Sequence, residues 1–121
     1  MLLCISSSKD VFFNLALEEY FLGSQFEAQS ICLFYEDDEA VVMGKNQNFF
    51  REVNIRYCLE NDLTVARRVS GGGTVYHGRG NLNFAFIRPH EDNLVNNFRE
   101  FNRPIIRALK NLGLEAGMNH R

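Results

Sequence analysis

Arg67-Arg68-Val69-Ser70-Gly71-Gly72-Gly73-Thr74-Val75-Tyr76-His77-Gly78-Arg79-Gly80-Asn81 carries the densest chemistry in this 121-residue chain. Its three consecutive glycines have no Cβ, so the backbone can take positive φ and pass close to a ligand with its amides facing it. Taken alone, Gly71-Gly72-Gly73 fits two readings: a plain hairpin turn and a loop that holds an anion. Arg67 and Arg68 before the glycines, with His77 and Asn81 after them, add hydrogen-bonding groups suited to a charged, oxygen-rich ligand. Two standard phosphate motifs fail here. Gly73 and Gly78 have P-loop spacing, but Arg79-Gly80 follows where Lys-Ser/Thr is required. No Gly-x-Gly-x-x-Gly fingerprint is present, and Leu82-Asn83-Phe84-Ala85-Phe86 alternates like a half-buried strand instead of opening a helix. The loop therefore joins strand to strand, which disfavours a Rossmann sheet.

The run Arg67-Arg68-x-Ser70-Gly71-Gly72-Gly73-Thr74-Val75-Tyr76-His77, with Gly80-Asn81-Leu82-Asn83-Phe84, resembles the signature of the lipoate-protein ligase family. Two further segments resemble it in the same order: Asn14-Leu15-Ala16-Leu17-Glu18-Glu19-Tyr20, and Val41-Val42-Met43-Gly44-Lys45-Asn46-Gln47-Asn48 followed by Glu52-Val53-Asn54. The resemblance implies an α/β fold with a mixed, mostly antiparallel sheet and packed helices, as in the lipoate and biotin ligase domains. It also implies an ATP-dependent enzyme that activates lipoate as lipoyl-adenylate and passes the lipoyl group to a lysine of a carrier domain.

Composition agrees with a folded protein: 45% hydrophobic and 12% aromatic residues suffice for a core. A formal net charge of -2 gives no broad basic field, which excludes a nucleic-acid role from the expectations. Cys4, Cys32 and Cys58 lie far apart, in no metal-like spacing, and read as reduced core thiols. Met1-Leu2-Leu3-Cys4-Ile5 lacks the basic start of a signal peptide, and no apolar run reaches membrane length. A cytoplasmic protein without membrane contact is the expectation.

Along the chain, Leu2 to Ile5 reads as an edge strand and Asp10 to Leu22 as a helix with Phe12, Leu15, Ala16, Tyr20 and Leu22 as its stripe. Glu18 and Glu19 read as solvated or rim groups. Ile31 to Tyr35 and Ala40 to Met43 are strands separated by Glu36-Asp37-Asp38-Glu39, a solvated hairpin or tight connection. Gly44 to Asn48 is a polar loop at a strand end. Asn54 caps a helix to Asn61 with Ile55, Cys58 and Leu59 on one face. Leu63 to Val69, Thr74 to Tyr76 and Leu82 to Ile87 are strands, placing Ser70 to Gly73 at a sheet edge. Leu94, Phe98, Phe101, Ile105, Leu109 and Leu112 recur at helical spacing, with a split or kink expected at Pro104 and a stop at Leu112-Gly113-Leu114. No repeat or linker divides the chain.

By resemblance, Arg68 and Ser70 contact the lipoyl group together with Gly71, Gly72 and Gly73, and Arg68 is the candidate catalytic residue. Gly73, Val75, His77 and Asn81 meet the adenylate. ATP and Mg²⁺ are the implied cofactors and lipoate the substrate; no metal-binding residue can be named. The implied partners are lipoyl domains of 2-oxoacid dehydrogenase E2 subunits and the glycine-cleavage H protein. Arg67 is the counterpart of Arg68, since one of two adjacent strand residues must point away. Val69, Tyr76, Phe84 and Phe86 are the nearby residues able to line an apolar slot, or to be plain core. Gly78 stands where the family usually has Asp, and no lysine among Lys9, Lys45 and Lys110 matches the family's activating lysine. Residues 1–121 are thus expected to be the N-terminal portion of a catalytic domain, inactive as a ligase by itself. Two alternatives stay open: an octanoyl or lipoyl transferase of the same superfamily, and a non-catalytic lipoate-binding fragment.

Overall fold

The computed structural model describes residues 1–23, 30–88 and 98–118. Two compact units divide it, Met1–Arg88 and Pro89–Arg121. The first contains β1 (Leu2–Ile5), α1 (Val11–Gly23), β2 (Ile31–Tyr35), β3 (Ala40–Met43), α2 (Phe49–Glu52), α3 (Ile55–Glu60), β4 (Thr64–Arg67), β5 (Val75–His77) and β6 (Asn83–Ile87); the second contains α4 (Phe98–Asn111). The strands form two three-stranded sheets, in the orders β1-β2-β6 and β4-β3-β5. In each, the central strand has one parallel and one antiparallel neighbour. The mixed α/β character read from the sequence is present, divided over two sheets.

That division decides between the two forms expected for the acidic run: it is a tight connection and not a hairpin. β2 and β3 belong to different sheets, so Glu36-Asp37-Asp38-Glu39 is the crossover between them. Nor is the run wholly solvated: Asp38 and Glu39 are exposed, Glu36 pairs with Lys9, and Asp37 is buried.

Register assigns the faces of the second sheet. Ala40, Val42, Thr64, Ala66, Val75 and His77 share one side, because Ala40 pairs with both Thr64 and His77, and Val42 with both Ala66 and Val75. Val11 and Leu15 of α1 pack on Ala40, Val42 and Ala66 there. The opposite side carries Val41, Met43 and Val65, covered by Phe49, Val53 and Cys58 from the α2–α3 segment and by Leu63 just before β4. Burying aliphatic side chains such as Leu33, Val42 and Met43 contributes about 1.5–3 kcal/mol each relative to exposure. α2 is a single turn that the sequence pattern did not reveal; Asn48 caps it, and Asn54 caps α3 through the Tyr57 amide at 3.1 Å. Of the expected α3 face, Cys58 is buried, Ile55 half-buried and Leu59 78% exposed.

The apolar stripe expected on α1 is also corrected. Of that stripe only Leu15 is half-buried, while Phe12, Ala16, Tyr20 and Leu22 are exposed; the buried residues of the helix are Val11 and Asn14, with Leu17, Glu18 and Phe21 half-buried. The helix can bury a polar side because Asn14 finds a partner for every polar atom of its amide, as described below.

α4 runs unbroken through Pro104, where a split or kink was expected. Proline forfeits one intrahelical bond without ending the helix. The stop after Asn111 is as read: Gly113 has φ +81°, and the Leu114 amide donates to Leu109 O at 3.0 Å. Leu94 lies outside the described residues.

Candidate functional site

β4 and β5 flank β3 on opposite sides, so residues 68–74 must cross over the C-terminal end of β3. The glycine loop therefore caps the end of the central strand and does not lie at a sheet edge. It meets there the polar loop that leaves β3 at Gly44. The two are braced together: the Lys45 amide donates to Ser70 O at 2.8 Å, and Gln47 Oε1 accepts from Gly44 N at 2.9 Å and from the Thr74 hydroxyl at 2.8 Å. Approach is so close that a Cβ on Gly44 would stand 2.1 Å from Gly72 O. Gly72 itself has φ +96°, a region where glycine is the default residue.

The paired arginines divide the bracing between the two loops. Arg67 Nη1 donates to the carbonyls of Gly44, Lys45 and Gln47 at 3.0, 3.1 and 2.8 Å. Arg68 folds under the glycines: Nη2 donates to Gly71 O at 2.7 Å and Gly73 O at 2.8 Å, Nη1 to Val42 O at 3.3 Å, and Nε to Ser70 Oγ at 3.1 Å. Those bonds leave one of the five guanidinium N–H groups uncommitted. The carbonyls of Ser70, Gly71 and Gly73 are thus engaged, whereas the amides of Gly71, Gly72 and Gly73 meet no acceptor among the described residues. A loop whose carbonyls are tied down and whose amides are open is arranged to receive an anion.

His77 lies at the far end of β5, buried, with Nδ1 2.6 Å from Asp37 Oδ2. Asp37 has no exposed side-chain surface; its other oxygen accepts from Asn14 Nδ2 at 2.7 Å, and Asn83 Nδ2 lies 3.5 Å from Oδ2. Asn14 is fixed in turn: its Oδ1 accepts from the Ser6 hydroxyl at 2.6 Å, and its Nδ2 also donates to Ser8 O at 3.0 Å. Glu18, one turn along α1, accepts from Tyr35 O–H at 2.7 Å. Burial pushes the Glu18 carboxyl above the usual carboxylate range, against the Tyr35 hydrogen bond and the charges of His77 and Arg68, which pull it down. Burial, with Glu18 beside it, raises the Tyr35 hydroxyl as well.

The structure therefore brings Arg68, Ser70 and Gly71 to Gly73 into one loop, continues it through Val75 to His77, and leaves Asn81 exposed in the following turn, its amide bonded to Gly78 O at 3.0 Å. The four residues named for an apolar slot do not converge. Tyr76 faces the α3 side of its sheet, while on the other sheet Phe84 makes tilted or edge-on ring contacts with Phe34 and with Phe86. A cavity of about 500 Å³ between α3 and β5, lined by Tyr57, Cys58, Leu63 and Tyr76 among others, takes in Tyr76 but none of Arg68, Ser70, the loop glycines, Val75, His77 and Asn81. Gly78 lies under the Tyr76 ring, whose Cε1 would be 2.8 Å from an added Cβ. Asn14, Asp37 and Tyr35 escaped the sequence reading, because only contacts between residues 17 to 40 positions apart reveal them.

Residues 10–121 match the lipoyl protein ligase A/B catalytic domain model. The chain is 45% identical over 108 residues to lipoate-protein ligase LplJ of Bacillus subtilis, and likewise to lipoate-protein ligase 1 of Staphylococcus aureus, covering 89% of this chain and 33% of each relative. Among solved structures, the putative lipoate protein ligase Ta0514 of Thermoplasma acidophilum with bound lipoic acid superposes at TM-score 0.86 with 31% identity, over 99% of this chain and 51% of that one. A lipoate-protein ligase A bound with ATP superposes at TM-score 0.85 with 31% identity, over 98% and 51%. A bipartite lipoate protein ligase of T. acidophilum, described with its E2 lipoyl domain, gives TM-score 0.85 and 31% identity over 98% and 48%. The chain thus spans a third of the length of the two curated relatives.

Proposed function

Because this chain belongs to the lipoyl protein ligase A/B catalytic-domain family, we propose that its glycine loop is the acyl-adenylate site of an ATP-dependent lipoate-protein ligase. One observation carries the reading: Arg68 ties down the carbonyls of Gly71 and Gly73 while the amides of Gly71 to Gly73 stay open. The reaction needs such a loop. A carboxylate oxygen of lipoate attacks the α-phosphorus of ATP and pyrophosphate leaves; a carrier lysine then attacks the acyl carbon and AMP leaves. The first step brings two anions together and the second develops an oxyanion at the acyl carbon as AMP leaves; preformed N–H donors beside a fixed cation stabilise such charge without reorganising. Arg68 is the catalytic residue in this reading, holding the loop and lending its charge and its remaining N–H group. Ser70 and Gly71 to Gly73 hold the acyl carboxyl end, and Gly73, Val75, His77 and Asn81 the adenylate.

Lipoate and ATP are proposed from the relatives bound to them, and a lipoyl domain as acceptor from the relative described with its E2 lipoyl domain. The H protein is proposed as a second acceptor of the same kind. No group of three His, Cys, Asp or Glu among the described residues could hold a metal ion, so no step is drawn through protein-bound Mg²⁺. The transferase alternative requires a cysteine thiolate. Cys32 and Cys58 are buried, burial pushes the Cys32 thiol up, and no cysteine lies in the loop.

Calorimetric titration of the chain with a non-hydrolysable lipoyl-adenylate mimic tests the proposal. Binding by the wild type that falls at least tenfold in Arg68→Ala is expected; a wild type that gives no binding heat, or an Arg68→Ala variant of unchanged affinity, sinks it.

A further inference from the structure

We infer that Asp37 is a positioning residue for His77, holding the ring by Nδ1–H so that Nε2 is the nitrogen offered to a polar group of the adenylate. The inference rests on the adenylate reading of His77 and adds the device that orients it.

The argument is one of donor and acceptor inventory. Asn14 Nδ2 sits within hydrogen-bond distance of Ser8 O, Glu36 O and Asp37 Oδ1, all of which only accept, so that atom must be the amide nitrogen. Its Oδ1 then accepts from Ser6, which ties β1, α1 and the β2–β3 crossover to one point. With Oδ1 of Asp37 taken by Asn14, Oδ2 is the oxygen left for His77, and a carboxylate oxygen accepts only. Nδ1 of His77 therefore carries a proton. No partner meets the other ring nitrogen among the described residues, and the His77 side chain keeps 10% of its surface exposed. A ring tethered at one nitrogen, with the other free beside the remaining opening, is how a protein selects a histidine tautomer for a ligand.

The same inventory makes an inverted case. In Asp37→Asn, keeping the short bond from the Asn14 amide calls for an acceptor at the Oδ1 position, which turns the new NH₂ group to the Oδ2 position, toward His77 and the more distant Asn83 amide. It would then donate to His77 Nδ1, and the ring proton would move to Nε2.

The test is long-range ¹H–¹⁵N correlation on the ¹⁵N-labelled protein, at a pH where the ring is neutral, without and with the lipoyl-adenylate mimic, alongside calorimetry. Expected are a protonated Nδ1 and bare Nε2 in the wild type, a large change at Nε2 on adding the mimic, and the inverted tautomer with at least fivefold weaker mimic binding in Asp37→Asn. A wild-type ring bearing its proton on Nε2 overturns the inference whether or not the variant folds. So does mimic binding that leaves the His77 ring nitrogens unmoved, in which case the glycine loop keeps its acyl-adenylate reading and His77 loses its part in it. If the wild type does not bind the mimic at all, that reading falls, and this inference falls with it.

Discussion

Replacing Gly44 by alanine changes no charge and removes no hydrogen-bonding group, yet it should damage the site more than any other single methyl group. The added Cβ would lie 2.1 Å from Gly72 O and 3.0 Å from Gly72 C. An ordinary carbon–oxygen contact needs about 3.3 Å, so the two loops must part by about 1.2 Å. Both atoms facing the methyl group are backbone, and no rotamer change can relieve the clash. Separation on that scale breaks the 2.8 Å bond from Lys45 N to Ser70 O. Overpacking costs about 1–3 kcal/mol and the lost bond about 1 kcal/mol, giving a destabilisation of about 2–4 kcal/mol. Displacing the loop amides by about 1 Å should weaken the adenylate mimic by about 10- to 100-fold. Urea denaturation and calorimetry read the two effects. Gly23→Ala is the control, because an added Cβ there meets nothing within 4 Å and the residue lies at the end of α1, away from both loops. Wild-type stability and affinity in Gly44→Ala would refute the close apposition of the two loops.

Other substitutions probe the supports separately. Asn14→Ala leaves the buried Asp37 without its 2.7 Å donor and should cost about 2–3 kcal/mol in denaturation; a cost below about 1 kcal/mol would contradict the buried network. Arg67→Ala frees three carbonyls of the 44–48 loop and should cost about 1–2 kcal/mol, with faster amide exchange at Lys45 than in the wild type as the local signature. Glu18 gives a pH effect of definite sign. Its folded value lies above the ordinary 4.5, so the folded state holds the proton more tightly. The resulting stability is fully present below pH 4.5 and is lost as pH rises through the folded value. Glu18→Gln, still able to accept from Tyr35, should gain stability relative to the wild type as pH rises above 4.5; parallel pH profiles would contradict the raised value. Among the cysteines, half-buried Cys4 should react first with a thiol reagent, ahead of buried Cys32 and Cys58.

How much of this was legible in the sequence depended on whether the signal was local. The strands were read to within about a residue or two because short apolar runs such as Ile31 to Tyr35 and alternating ones such as Leu82 to Phe86 are local signals. The 67–81 stretch was legible as a loop because its glycines break that period. What failed needed a partner from elsewhere. Asp37 looked like one of four solvated carboxylates, and only Asn14, Asn83 and His77 make it buriable. α1 was read by its apolar residues, but Asn14 rather than Phe12 faces inward, because a saturated amide costs little to bury. Arg67 and Arg68 were told apart by neither spacing nor composition. The structure gives both a bracing role, one on each loop.

The central claim is that the open amides of the glycine loop receive the adenylate, and amide chemical-shift mapping tests it most directly. With the ¹⁵N-labelled chain titrated by the lipoyl-adenylate mimic, the largest shifts should fall on Gly71, Gly72, Gly73, Thr74 and Val75, with smaller ones at His77 and Asn81. Shifts centred on Tyr57, Cys58 and Tyr76, around the cavity between α3 and β5, would place the ligand in that cavity and not at the glycine loop, and contradict the account.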